Sequence, residues 1–275
     1  MPPLNRPRVV DPSAPRPPRL NRQLRGIPVR VILPNLLTLL ALSLGLFAIR
    51  FAIEGSYESA VIAIAAAAVL DGLDGRLARA IAGTSRFGAE LDSLADFVDF
   101  GVAPALLLYF WILHDVKGLG WFAATAFVIA CALRLARFNV MVDDPDKPAW
   151  AGNFFVGMPA PAGAVTGLLP AYLHILGLPL TRGAVFAEIA YVLVIAALMA
   201  SRIPHFSGKD FGRIPRDYFV IVVFGVAVAL LLLITYPVEM LVALTLIYLA
   251  MIPFSIRRYA ALARAEGVKE AANSE

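Results

Sequence analysis

Cysteine is nearly missing from this chain. Its one example, Cys131, lies in the apolar run FVIACAL, so no disulfide can form within the chain and a small buried hydrophobe is the expected role. Histidine is scarce as well. His114, His174 and His205 fall on different apolar segments and make no metal-ligand cluster, so packing or interfacial positions are expected. Charge is thin: Asp, Glu, Lys and Arg make up 16% of the residues, against 60% hydrophobic ones and a mean hydropathy of +0.76. A soluble domain carries about 25% charged and about 45–50% apolar residues. The apolar excess sits in long runs, which excludes an ordinary soluble domain and points to a polytopic membrane protein. No clear internal repeat is present.

A crossing helix needs about 20 apolar residues. Eight segments qualify, roughly 33–53, 58–81, 90–113, 119–141, 157–178, 184–203, 216–236 and 238–257, separated by Gly- and Pro-containing turns. The expected fold class is therefore an all-α integral membrane bundle of about eight transmembrane helices. Residues 1–30 hold seven arginines and many prolines, with little to form a core; they read as a disordered basic cytoplasmic tail and not as a secretory signal. Residues 31–260 form the transmembrane domain, and 261–275 a cytoplasmic C-terminal tail. With both termini inside, 21 of the 24 Lys and Arg residues fall on the cytoplasmic side; Arg50, Lys117 and Arg182 are the exceptions. That asymmetry is the positive-inside bias. The sequence pI of about 9.4 thus reports topology and not a nucleic-acid footprint.

Against this background the string DGLDGRLARAIAGTSRFGAELDSLAD stands out. At about 100° per residue, Asp71, Asp74, Gly75 and Ala78 share one face of the second helix. Gly88, Asp92 and Asp96 drift around one face of the third, with Asp99 close to it. A short turn joins the two helices, so they run antiparallel and their acids can meet at one depth. An aspartate at the centre of a membrane helix costs roughly 2.5–3.5 kcal/mol on insertion scales. Either arginine pairing, through Arg76 and Arg79, or divalent metal can compensate. Carboxylates without His or Cys suit Mg²⁺ or Mn²⁺, and two ions sharing them would form a clamp for phosphoryl chemistry. Gly72, Gly75 and Ala78 keep bulk away from the acids.

The eight residues Asp71, Asp74, Gly75, Ala78, Arg79, Gly88, Asp92 and Asp96, at fixed spacing over 26 positions, match the signature of the CDP-alcohol phosphotransferases. The stretches PNLLTLLALSLG, LDSLADFVDFGVAPA, ALRLARFNV and GMPAPAGA resemble the membrane-integral serine-using branch of that family, and the resemblance covers about residues 30–260. It implies transfer of a phosphatidyl group from CDP-diacylglycerol to the hydroxyl of L-serine, with CMP released, in a protein of the cell (inner) membrane that is typically a homodimer. Asp71, Asp74, Asp92 and Asp96 would hold two Mg²⁺ or Mn²⁺ ions, and Asp96 would also be the general base. Gly75, Ala78, Arg79 and Gly88 would bind the nucleotide and its phosphates. The position of Asp99 often carries serine in the family, so Asp99 is either an added polar ligand or an acid facing interfacial water.

The acceptor is less tightly specified. Arg134, Arg137 and Asn139 are candidates for the serine carboxylate or a phosphate; anchoring at the interface would explain the arginines equally. Asn35 and Thr38 either cap the first helix or touch the nucleotide. Lys209, Arg213 and Arg216 are loop cations able to bind a phosphate or a lipid headgroup. Asp143, Asp144 and Asp146 read as a solvated turn, and Trp111, Trp121 and Trp150 as an interfacial belt. Glycerol phosphate, inositol phosphate or choline would serve the same motif. A divalent-cation transporter would also use intramembrane acids. It would need polar groups through the full depth, whereas the acids here concentrate in one half of two helices.

Overall fold

The computed structural model describes residues 29–81, 85–142, 154–179, 181–206 and 219–273. The basic tail before Val29, the acidic run Asp143, Asp144 and Asp146, Trp150, and the loop cations Lys209, Arg213 and Arg216 lie outside these residues. Ten α-helices and two short strands are described.

The fold begins with a hairpin of α1 (Val29–Ile53) and α2 (Tyr57–Ala80), turned at Gly55 with φ at 77°. A positive φ of this size is cheap only for glycine. The buried positions of α1 are Pro34, Thr38, Ala41, Gly45, Ala48 and Ala52, spaced alternately by four and three residues. This is a stripe of mostly small side chains, which lets neighbouring backbones approach closely without a hydrophobic driving force in lipid. Leu36, Leu40 and Phe47 point outward and are exposed. On α2, Ala60, Ala63, Ala67 and Asp74 are buried at matching intervals. The acids thus continue the alanine seam towards the end of the hairpin where α1 begins.

Next comes α3 (Arg86–Phe97), which passes through a π-helical turn, Val98–Val102, directly into α4 (Ala103–Trp111). A 3₁₀ turn, Leu113–Val116, leads to α5 (Lys117–Val142). Strand β1 (Phe154–Val156), α6 (Ala160–Gly167), α7 (Leu169–Ile175), α8 (Arg182–Ala200), β2 (Pro204–Phe206), α9 (Phe219–Thr235) and α10 (Pro237–Asn273) follow. β1 and β2 pair antiparallel, with Phe155 opposite His205. α6 lies flat against α5 and α8, because a Cβ at Gly167 would meet Phe127 at 2.7 Å and one at Gly163 would meet Met199 Sδ at 2.5 Å. The core gathers Phe100, Leu107, Leu108, Phe127, Leu168, Ile195 and Met199.

Among the described residues, five helices are long and apolar enough to cross a membrane: Ile32–Ile53, Arg86–Trp111, Leu113–Met141, Gly183–Ala200 and Pro237–Ala265. The chain is an all-α, multi-pass membrane protein. Two of the other three expected segments differ for physical reasons. With 24 residues α2 is long enough, about 36 Å, but Asp71, Asp74, Arg76 and Arg79 depress its hydropathy. Segment 157–178 is broken at Leu168, where Pro170 enters the next helix at its start and supplies no N–H to continue the ladder. The described part of α9 has 17 residues, and the start of segment 216–236 lies outside the described residues. At the C-terminus α10 stays helical through Asn273, so most of the expected tail extends the last helix.

The end of the bundle away from the acids is fastened by side chains. Tyr57 stacks on Trp111 with centroids 4.6 Å apart, and Trp111 lies 6.0 Å from the ring of His174. His174 Nδ1 is 2.7 Å from the Leu178 carbonyl, which can only accept, so Nδ1 carries hydrogen. Its Nε2 is 2.7 Å from Glu188 Oε1, and a bond at that distance needs a proton between the two atoms. These side chains are 3% and 10% exposed. Removing one member of a buried pair strands the other and costs about 3–5 kcal/mol. Glu188→Ala should therefore lower the melting temperature in detergent clearly, and His174→Leu/Glu188→Leu should lower it less; equal melting of wild type and Glu188→Ala would contradict this account.

Candidate active site

Three helices converge on the acids. Asp71, Asp74 and Asp92 each offer a carboxylate oxygen, and these atoms lie within 4.8 Å of one another. Asp71 and Asp96 stand within hydrogen-bonding reach of each other. Asp71 and Asp74 come from α2, Asp92 and Asp96 from α3, so the antiparallel arrangement does bring both acidic pairs to one level. α1 supplies the brace. Thr38 Oγ1 donates to Asp74 Oδ2 at 2.7 Å, with the Pro34 carbonyl at 3.1 Å as its alternative acceptor. Asp74 is only 3% exposed.

Carboxylates this close repel unless a proton or a cation stands among them. Among the described residues no arginine forms an ion pair with any of these acids. Arg79 acts on Asp92, and Arg134 on Asp96 and Asp71, at longer range. Arg76 is exposed and takes no part. Arginine pairing therefore does not discharge the cluster. An all-oxygen donor set with unspent negative charge fits a hard divalent ion, and Asp71, Asp74 and Asp92 are placed to hold one.

Beside the acids opens a cleft between α1, α2 and the start of α3. α1 lines it with Pro34, Asn35 and Thr38, α2 with Asp74, Gly75, Ala78 and Arg79, and the start of α3 with Ser85, Gly88, Ala89 and Asp92. Gly75, Ala78, Arg79 and Gly88 are thus all at one surface, and Asn35 and Thr38 join them. A Cβ at Gly75 would meet nothing but the Arg79 guanidinium nitrogens, at 3.7 and 4.0 Å, so this position opens into the cleft. Gly88 is closed in: a Cβ there would meet Asn35 Oδ1 at 2.7 Å and Ser85 Oγ at 3.1 Å. Gly72 faces open space, so no close helix contact explains it within one chain.

Ser85 was not singled out in the sequence. It caps α3, its Oγ accepting from Gly88 N at 2.9 Å. Serine three residues ahead of the glycine that opens a periodic run was the available signal.

The remaining candidates separate. Arg134 is buried, 8% exposed, and lies over the Phe138 ring at 5.2 Å. Arg137 directs Nη1 to the Ser201 carbonyl at 2.7 Å and Nη2 to the Ala200 carbonyl at 2.9 Å, closing the C-terminus of α8. Asn139 donates to Ser93 Oγ at 3.0 Å and ties α5 to α3 between Asp92 and Asp96. Asp99 sits in the π-helical turn at 1% exposure, with Oδ1 lacking any partner among the described residues. It does not face interfacial water. A Cβ on Gly45 would collide with its carboxylate, so the glycine in the α1 stripe makes room for this acid.

A family model described as CDP-alcohol phosphatidyltransferase matches residues 31–203, more than half of the chain. The chain belongs to that family. Among its CDP-alcohol phosphatidyltransferase relatives, a Mycobacterium leprae protein named CDP-diacylglycerol–serine O-phosphatidyltransferase is 42% identical over 230 residues, 82% of this chain and 74% of the relative. A Mycobacterium tuberculosis protein of the same name is 40% identical over 235 residues, 85% of this chain and 80% of its own length. An archaetidylserine synthase of Methanothermobacter thermautotrophicus is 38% identical over 141 residues, 50% of this chain and 56% of that protein.

If the acids hold a divalent ion, each of them contributes to its affinity. Manganese binding to the purified protein, followed by electron paramagnetic resonance, should weaken by at least about ten-fold in Asp92→Asn or Asp71→Asn. Unchanged affinity in both variants would remove the metal reading.

Proposed function

We propose that the protein transfers the phosphatidyl group of CDP-diacylglycerol to the hydroxyl of L-serine, forming phosphatidylserine and CMP. The observation that carries this reading is the four-acid cluster beside a cleft built of Gly75, Ala78, Arg79 and Gly88. The choice of serine is supported by the relatives' names, which keep serine while the lipid part changes from diacylglycerol to archaetidyl.

Asp71, Asp74 and Asp92, with Asp96, would hold two divalent ions, Mg²⁺ or Mn²⁺. When bound, such ions neutralise charge developing on the diphosphate oxygens. The chain's own residues do the rest. Gly75 and Ala78 leave room for the nucleotide, Arg79 reaches its phosphates, and the Asn35 and Thr38 side chains close the cleft from α1. Asp96, buried on the α5 side of the cluster near Arg134, accepts the proton of the serine hydroxyl. The serine oxygen then bonds to the β-phosphorus as the bond from that phosphorus to the bridging oxygen breaks, and CMP leaves with that oxygen. The site offers no nucleophile other than carboxylates, which favours direct in-line displacement.

Of the three acceptor candidates, Arg134 alone makes no hydrogen bond among the described residues, since Arg137 and Asn139 are engaged within the protein. The lipid tails stay in the bilayer while the headgroup enters from the membrane surface. The lysine and arginine asymmetry supports an orientation with that surface, and both termini, on the cytoplasmic side of the cell membrane, where serine and CMP would exchange with solution. A homodimer of such bundles completes the reading.

CMP release should be assayed with CDP-diacylglycerol, Mn²⁺ or Mg²⁺, and one alcohol at a time. Serine should release CMP well above water, glycerol phosphate, inositol phosphate and choline; a serine rate equal to that in water would overturn the assignment. Asp96→Asn should lose about 10²–10⁴-fold in rate with its melting temperature retained, and full activity would remove Asp96 as the base.

A further inference from the structure

Beside Arg134 stands Tyr248 of α10, outside the segment that the family model matches. The two side chains lie close enough to interact electrostatically. The Tyr248 hydroxyl is 2.9 Å from His205 Nδ1, and the two rings are nearly parallel, at 9°, with centroids 5.8 Å apart. His205 is 1% exposed and its Nε2 has no partner among the described residues. Burial pushes the imidazole down to about 4, so it is neutral at physiological pH.

A neutral imidazole carries one N–H, which leaves two arrangements. If Tyr248 donates to Nδ1, the single N–H sits on Nε2, buried without an acceptor. If Nδ1–H donates to the Tyr248 oxygen, Nε2 is a bare lone pair and the phenol proton is unspent. Each arrangement leaves one donor unspent, but Nε2 is fully enclosed whereas Tyr248 is only half-buried, so its hydroxyl can meet an acceptor from outside the protein. The second arrangement is therefore the one that a ligand completes. It leaves the Tyr248 hydroxyl and the Arg134 guanidinium as donors within electrostatic range of each other, both without hydrogen-bond acceptors among the described residues, and Arg134 within range of Asp96 as well. Such a pair is complementary to an anion, and a charged acceptor bonds each of them more strongly than a neutral one. The nucleotide cleft does not include Arg134 or Tyr248; its own cation is Arg79. The anion is thus the acceptor's.

We propose that Arg134 and Tyr248 together receive the carboxylate of the acceptor amino acid, and that His205 positions Tyr248 for this. The inference rests on the serine reading above. A carboxylate held there leaves the serine hydroxyl free to turn towards Asp96. It also explains why α10 and the β1–β2 pair, both remote from the acidic motif in sequence, pack at this end of the bundle.

The test measures KM for serine and for CDP-diacylglycerol separately, with the full-length protein in detergent, and uses serinol as a probe that replaces the carboxylate by a hydroxymethyl group. Tyr248→Phe should raise the serine KM by about ten-fold or more and leave the CDP-diacylglycerol KM and the serinol rate within about two-fold. His205→Ala should shift the serine KM the same way, and His205→Asn, whose amide occupies the place of Nδ1, should bring it back towards wild type. A serine KM unchanged in Tyr248→Phe overturns the proposal. So does a rise in the CDP-diacylglycerol KM alone, which would make the anion a substrate phosphate. A wild-type protein that ignores serine removes the serine reading itself and this proposal with it.

Discussion

Mutual repulsion among carboxylates in a poorly polarisable surrounding is the constraint around which this bundle is organised. Asp71, Asp74, Asp92 and Asp96 are pressed together by two antiparallel helices, although any one of them alone would resist leaving water. The arrangement persists because the helices are held from behind. The small-residue stripe on α1 lets α2 settle closely, Thr38 donates to Asp74, and Gly45 leaves space for Asp99. The acids are the last turns of a seam that begins with Ala60 and Ala63, so the packing that builds the hairpin also concentrates the negative charge.

Burial and chemistry are divided between the two ends of the molecule. At the end away from the acids, Tyr57 with Trp111 and His174 with Glu188 lock helix termini together and offer little for turnover. At the acidic end, polar side chains complete one another across long sequence distances. Arg137 closes α8, Asn139 holds Ser93, and the loop through Gly157, with φ at 79°, docks on the end of α8 through Met158 N to the Leu198 carbonyl at 3.2 Å. A substrate with lipid tails and a nucleotide headgroup needs this division: an apolar flank in the bilayer and a polar, rigid pocket at the surface.

The sequence made one part of the site plain, for a local reason. Asp71, Asp74, Gly75 and Ala78 share a face because helical geometry fixes it, and the short turn at Ser85 forces α2 and α3 to run antiparallel. The need for some cation at the acids was equally readable. What escaped depends on contacts between distant segments. Nothing local in ALRLARFNV tells Arg134, which keeps its donors, from Arg137, which spends two on α8. Tyr248 and His205 are 43 residues apart and meet only because β2 docks beside α10. The break at Leu168 and the π-helical turn at Asp99 are backbone adjustments to packing, and an apolar run hides both.

The central claim is that the acids of α2 and α3 act as one metal-holding group. Anomalous diffraction from crystals grown with Mn²⁺ and CMP tests it most directly. The account predicts manganese peaks among Asp71, Asp74, Asp92 and Asp96, with the nucleotide in the cleft beside Gly75. Manganese bound elsewhere, or these carboxylates turned away from one another with CMP in place, would contradict it.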